Sequence, residues 1–209
     1  MEKIKKSDAL LIVDVQNDFC PGGTLAVAEG DQIVPIINNI QEKFPLVVAT
    51  QDFHPAEHGS FAANHAGKKT GEFIELAGLT QILWPVHCVQ GSQGGDFHPD
   101  LNRGQRMKVF QKGKNPEVDS YSGFFDNARR GDTGLSEYLR SQGIERVFVC
   151  GLALDYCVKF TAMDAESLGF ETFVISDATR AVNLSPGDGS KALGEMKQKG
   201  IKILTSKDL

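Results

Sequence analysis

A thiolate nucleophile is best made where a buried strand breaks sharply into a helix. One stretch of this 209-residue chain reads that way: Arg146-Val-Phe-Val-Cys-Gly-Leu-Ala-Leu-Asp-Tyr-Cys157-Val-Lys. The apolar, β-branched run from Arg146 to Cys150 predicts a buried strand, and Gly151 breaks it. From Tyr156 to about Leu168 apolar residues recur at helical spacing (Val158, Ala162, Ala165, Leu168), which puts Cys157 in a first helical turn. Unpaired backbone N–H groups and the positive end of the helix dipole favour a thiolate there. A small apolar residue packed at a turn is the plainer role for a cysteine, so the rest of the chain has to decide.

Three further strand-like segments end in polar groups. The first runs into Asp14-Val-Gln-Asn-Asp-Phe19, the second into Asp52-Phe-His54, and the third into Gln111-Lys112-Gly113. In an open parallel sheet, ligands bind beyond the carboxyl ends of the strands. An acid, metal-type ligands, a cation and a thiol are therefore expected along one edge. Asp52 and His54 are two apart and point to the same side of an extended segment. His87, in Trp84-Pro-Val-His87-Cys88-Val, is the best candidate for a third ligand. Three N/O ligands with open positions describe a catalytic or substrate-binding ion, and the donor set fits Zn, Fe or Mn. His58 is a fourth ligand or an outer hydrogen-bond partner, while His65 and His98 are expected to hydrogen-bond loops. No histidine follows His98, which excludes a papain-like order of cysteine then histidine. Asp14 can serve Cys157 if Lys112 sits between them, because the ammonium would hold acid and thiol charged.

These residues need elements to place them. Ala9–Asp14, Leu46–Thr50, Met107–Gln111, Arg146–Cys150, Glu171–Ser176 and Ile201–Leu204 read as strands. Asp31–Lys43, Gly131–Gln142, the Cys157 segment and Ser190–Lys199 read as helices. Alternation of this kind predicts an α/β fold, doubly wound, with a six-stranded, mainly parallel sheet and helices on both faces. Two segments fall outside the pattern. Residues 54–104 form a long insertion rich in Gly and Pro that holds all five histidines, and a loop of that length is usually functional. Asn115–Asp126 reads as a covering loop.

The composition is 41% hydrophobic and 23% charged, which predicts a single domain over residues 1–209 that can bury a sheet on both faces. A net charge of −5 and a pI near 5.5 argue against a nucleic-acid surface. The pairs Arg129-Arg130 and Lys68-Lys69 are short and expected to be solvated. The chain shows no apolar signal region and no stretch of membrane-spanning length, so a cytoplasmic protein without a membrane partner is expected. Four cysteines without a C-x-x-C pair are expected to be reduced thiols, not a structural zinc site.

The segments Asp14-Val-Gln-Asn-Asp-Phe, Gln51-Asp-Phe-His-Pro-Ala-Glu-His-Gly-Ser-Phe, Trp84-Pro-Val-His-Cys-Val, Phe110-Gln-Lys-Gly and Gly151-Leu-Ala-Leu-Asp-Tyr-Cys-Val, in this order, resemble the nicotinamidase (pyrazinamidase) branch of the isochorismatase-like cysteine hydrolases. Asn115-Pro-Glu-Val-Asp-Ser-Tyr-Ser and Phe124-Phe-Asp-Asn extend the resemblance. It implies an isochorismatase-like fold with strand order 3-2-1-4-5-6 and an amidohydrolase that turns nicotinamide into nicotinate and ammonia in NAD salvage. Pyrazinamide would be a further substrate. It implies Asp14, Lys112 and Cys157 as catalytic residues, and backbone N–H groups of Ala153 and Cys157 as the oxyanion hole beside a cis Leu152–Ala153 bond. Phe19 and Trp84 would sandwich the ring. Asp52, His54 and His87 would hold one divalent ion per chain, zinc foremost. Leu154 departs from the Thr that many relatives carry in this turn, which bears on substrate preference. The small-molecule substrate is the only partner implied, and a homo-oligomer is left open. The rivals are an amidase acting on another small amide, which would have no use for Asp52, His54 and His87, and a non-catalytic binder, which would be expected to have lost one of Asp14, Lys112 and Cys157.

Overall fold

The computed structural model describes residues 1–104 and 107–209. In chain order it comprises β1 (Asp8–Val13), α1 (Ile33–Gln41), β2 (Leu46–Asp52), β3 (Phe73–Leu76), β4 (Leu79–Ile82), β5 (Lys108–Lys112), α2 (Leu135–Ser141), β6 (Arg146–Leu152), α3 (Lys159–Ser167), β7 (Glu171–Arg180), α4 (Asp188–Gln198) and β8 (Lys202–Leu204). Six strands form one sheet in the order β5-β2-β1-β6-β7-β8, and every pairing in it is parallel. This is the expected order.

Side-chain alternation explains why the strands are buried on both faces. Leu10, Ile12, Phe148, Cys150, Phe173 and Ile175 pack on one side with Ile33, Ile37 and Ile40 of α1. Ala9, Leu11, Val13, Val147, Val149 and Val174 pack on the other, with residues of α2, α3 and α4. Each fully buried aliphatic side chain is worth about 1.5–3 kcal/mol, so a one-residue slip of β1 would exchange both of its faces. At the amino end of the sheet, away from the polar strand ends, the Arg146 guanidinium donates to both oxygens of the buried Asp8 carboxylate, at 2.7 and 2.6 Å. Among the described residues no helix is long and apolar enough to cross a membrane.

Most expected bounds move by a residue or two, with β2 running on to Asp52, and the larger corrections are these. β6 runs through Gly151 to Leu152, with a register shift against β7 between Val149 and Gly151. β7 extends to Arg180 through polar residues. The second helix begins at Leu135, not Gly131, since Gly134 sits at φ 82° and starts the chain afresh. Within the long 54–104 insertion lies an antiparallel hairpin of β3 and β4. Its turn residues Ala77 and Gly78 both have positive φ, the backbone of a two-residue turn whose twist matches the strands.

Candidate active site

β1 ends at Val13, and at Asp14 (φ 47°) the chain turns out of the sheet. The Asp14 side chain is fully buried. One oxygen accepts the Thr50 hydroxyl at 2.6 Å, and the other lies 2.9 Å from Lys112 Nζ. Lys112 is the last residue of β5, and its ammonium also donates to Asp52 Oδ1 and the Ser120 carbonyl, each at 2.8 Å. Cys157 Sγ is 3.5 Å from the same nitrogen. Oxygens of Asp14 and Asp52 and the Cys157 sulfur all lie within 4.8 Å of one another. The expected trio of Asp14, Lys112 and Cys157 therefore meets at one point, with Asp52 as a fourth member.

Two sequence expectations about the thiol need correction. Cys157 lies in a π-helical turn, Leu154–Val158, that precedes α3, instead of in a first α-helical turn. Its pKa is also not lowered. Burial pushes it well above that of an ordinary thiol; Lys112 pulls it down, while Asp14 and Asp52 push it further up. One ammonium already serves two carboxylates, so a resting thiolate would be an uncompensated buried charge. Burial likewise raises the Asp14 carboxyl, with Lys112 offsetting part of the effect. Burial favours the neutral amine of Lys112, but Asp14 and Asp52 outweigh it and hold the ammonium well above its usual range.

Ala153 and Cys157, the residues expected to supply the oxyanion donors, line one pocket. The Leu152–Ala153 peptide is cis, as expected. The Ala153 carbonyl accepts the Tyr156 and Val158 N–H groups at 3.1 and 3.0 Å, which closes the turn beneath the sulfur.

The second expected cluster also assembles. Asp52 Oδ2 lies 3.3 Å from His54 Nε2 and 3.8 Å from His87 Nε2. Each imidazole directs Nδ1 to a backbone carbonyl, His54 to Gly113 at 2.9 Å and His87 to Pro85 at 2.8 Å. An Nδ1–H donated in this way leaves Nε2 as a lone pair aimed at the carboxylate, the tautomer a metal ligand needs. His54 Nε2 is buried and makes no hydrogen bond, and the three donors lie within 4.8 Å of one another. This donor set fits a divalent ion. Burial raises the Asp52 carboxyl, and the Lys112 ammonium beside it pulls it down. Gly113 is required here: at φ 67°, a Cβ would lie 2.4 Å from the His54 ring.

His58 has its Nδ1 on the Ser60 hydroxyl at 2.8 Å and a buried Nε2 with no partner. Its ring centre is 4.3 Å from that of His54, and burial lowers its pKa to about 4. It shares a second potential donor set with His54 and Asp119. Phe61 packs against all three rings, 5.4 Å from His54, 5.4 Å from His87 and 5.6 Å from His58. His65 and His98 hydrogen-bond loop backbone, as expected.

The two clusters open into a single small pocket of about 30 Å³, lined by Cys157, Ala153, Asp52 and His87 with Phe19, Leu25, Trp84, Asp119, Tyr121, Tyr156 and Val182. Phe19 and Trp84 both line it, as the resemblance implies. Asp119, Tyr121 and Tyr156 are additional. Tyr121 accepts the Trp84 indole N–H at 3.3 Å, and Tyr156 meets Trp84 edge-on at 4.9 Å. Their signal in the sequence was the Asp119-Ser-Tyr-Ser stretch of the covering loop and the residue just before Cys157. A larger groove along the β5 edge, lined by Arg103, Lys108 and Tyr138 among others, contains none of these groups.

With this geometry in view, the comparisons with known proteins are direct. The isochorismatase domain model matches residues 8–208. The nicotinamidase of Escherichia coli is 50% identical over 204 residues, covering 96% of this chain and 95% of its own. Among solved structures, the Acinetobacter baumanii nicotinamidase/pyrazinamidase superposes with a TM-score of 0.94 at 46% identity, covering 98% of both chains. The pyrazinamidase of Pyrococcus horikoshii in complex with zinc gives 0.79 at 38% identity, covering 95% of this chain and 99% of that one. On the matched domain and the identity to full-length relatives, the chain belongs to the isochorismatase family, on its nicotinamidase branch.

Proposed function

We propose that this chain hydrolyses nicotinamide to nicotinate and ammonia through a Cys157 thioester, and accepts pyrazinamide as well. The observation that carries the reading is the Lys112 ammonium in contact with Asp14, Asp52 and Cys157 at once. The relatives named for this activity support it. The pyridine ring would lie between Phe19 and Trp84, with its carboxamide carbon over Sγ. Asp14 accepts the thiol proton as sulfur attacks, so the thiolate exists only while carbon is taking up its charge. The amide oxygen becomes an oxyanion, received by the N–H groups of Ala153 and Cys157, each donor worth about 3 kcal/mol. The C–N bond then breaks, Asp14 returns its proton to the departing nitrogen, and ammonia leaves a thioester. Asp14 next takes a proton from water as it attacks the thioester. The C–S bond of the second tetrahedral species breaks, Asp14 returns its proton to the departing sulfur to restore the thiol, and the nicotinic acid released ionises to nicotinate. Lys112 stays protonated throughout and stabilises whichever of its neighbours is anionic.

Asp52, His54 and His87 would hold one divalent ion, with His58 as a further ligand or outer partner. Zinc is favoured by the donor set and by the zinc complex of the Pyrococcus horikoshii relative. When bound, the ion supplies a Lewis-acid contact for the ring nitrogen. Nicotinate made this way would enter NAD salvage in the cytoplasm. The test is ammonia release from nicotinamide by the purified, zinc-loaded chain, with Cys157→Ala as the inactive reference. Appreciable turnover by that variant, or none by the wild type, would refute the assignment.

A further inference from the structure

We propose that Gln16 and Asp18 are positioning residues that set the spacing of the metal ligands, Gln16 by holding the backbone of Asp52 and Asp18 by holding the turn that carries His87. The inference rests on the reading that Asp52, His54 and His87 bind a divalent ion. It arises from a gap in the sheet. β1 pairs with β2 only as far as Val13 opposite Thr50, because the chain departs at Asp14. Asp52 lies two residues further along β2 and has β5 on one side only, where it pairs with Lys112. Its backbone groups on the β1 side would be buried without partners.

The Gln16 carboxamide occupies the missing strand's place. Its Oε1 accepts the Asp52 N–H at 2.8 Å, and its Nε2 donates to the Asp52 carbonyl at 2.8 Å. The second Nε2 hydrogen goes to the Gly95 carbonyl, also at 2.8 Å. The side chain is completely buried and these bonds use both of its donors. A carboxamide alone offers a donor and an acceptor side by side, as the edge of a peptide does.

Asp18 performs the matching task on the other ligand segment. Its buried carboxylate accepts the Cys88 N–H at 2.7 Å and the Thr24 N–H at 3.2 Å. Cys88, next to His87, is held in the left-handed region at φ 47°, and its carbonyl accepts the His54 N–H at 3.0 Å. One turn residue is thus gripped by Asp18 from one side and tied to His54 on the other. The approach depends on Gly94, where a Cβ would lie 2.2 Å from the Asp18 carboxylate. In Asp14-Val-Gln16-Asn-Asp18, the first residue handles protons, while Gln16 and Asp18 set the ligand cage.

The test is the Zn²⁺ dissociation constant of the full chain, measured by competition with a fluorescent chelator. Gln16→Leu should weaken Zn²⁺ binding about 10–100-fold, the usual cost of losing an outer partner. Asp18→Asn, which keeps one acceptor, should lose less. Excess Zn²⁺ should restore much of the nicotinamidase kcat in both. Gln51→Leu removes a 2.9 Å bond to the same Gly95 carbonyl without touching the Asp52 backbone, and should leave Zn²⁺ affinity unchanged. A purely structural role would lower Tm but leave the affinity of the folded protein as it was. Folded Gln16→Leu with wild-type Zn²⁺ affinity overturns the inference. If that variant does not fold, Gln16→Met and Asp18→Asn decide in its place, and unchanged affinity in both overturns it equally. Wild-type protein that binds no Zn²⁺ would instead overturn the metal reading, and this inference with it.

Discussion

Lys112→Met removes the ammonium from the centre of the site while keeping most of the side chain's apolar length. In the wild type its nitrogen lies 2.9 Å from Asp14 and 2.8 Å from Asp52, and both carboxylates are buried. Breaking a buried ion pair from one side costs about 3–5 kcal/mol, because the remaining charge is left uncompensated. For a chain of 209 residues, each kcal/mol moves Tm by about 2–4 °C, so a fall of about 10 °C is expected at pH 8 in the apo protein. The loss should shrink toward pH 5. The Asp14 carboxyl is already raised by burial, and without the ammonium it rises further. A carboxyl whose folded pKa exceeds its unfolded value stabilises the fold below the unfolded value and loses that contribution as pH rises through the folded one. Acid therefore protonates and rescues the variant. The assay is thermal unfolding of wild type and variant with chelator from pH 5 to pH 8, read as the difference in Tm at each pH. Turnover should fall about as far as in Cys157→Ala, since the residues act as one unit. A Tm difference that is absent, or constant with pH, would refute the claim that Lys112 compensates two buried carboxylates.

Benzamide carries the same carboxamide on a ring without nitrogen, and its kcat/KM on the zinc-loaded protein should be lower than that of nicotinamide by a factor on the order of 10⁴, with pyrazinamide still accepted. Equal values would mean that the ring nitrogen is not read. Adding Asp14→Asn to Cys157→Ala should slow residual ammonia release little beyond the single variant, because the pair shares one proton; a further drop of several orders would show independent roles. Asp8→Ala strips the buried partner from Arg146, whose guanidinium grips that carboxylate at 2.7 and 2.6 Å and keeps Glu2 as its remaining partner. With Glu2 still paired to Arg146, it should cost less than the about 3–5 kcal/mol of an uncompensated buried charge in denaturant unfolding and leave the nicotinamide KM unchanged, since the pair sits at the opposite end of the sheet; a large KM change would refute that separation.

Much of the site was legible because its chemistry sits at strand ends. A strand covered on both faces must be apolar, so the polar residues that terminate it stand out: Asp14, the Asp52–His54 pair, Lys112 and the turn leading to Cys157. His87 followed from donor type, since Asp52 and His54 alone leave an ion short of ligands. Asp119, Tyr121 and Tyr156 were harder to see, because they come from a loop and a turn whose paths depend on the sheet beneath. The hairpin of β3 and β4 left little local trace, because neither Phe73-Ile-Glu-Leu nor Leu79-Thr-Gln-Ile alternates apolar and polar residues.

By itself the sequence determined the order of strands and helices, the parallel sheet they build and the donor types that reach its carboxyl edge. Those follow from periodicity, glycine breaks and side-chain chemistry, which are local. Tertiary structure alone decided the electrostatics. Position before a helix suggested a thiolate at Cys157, yet burial beside two carboxylates sharing one ammonium pushes the thiol up instead, and desolvation depends on everything packed around a group. The same holds for Gln16, an unremarkable glutamine in the sequence. Only when β1 turns away at Asp14 does an unpaired edge of Asp52 appear, and only then does that carboxamide acquire a task.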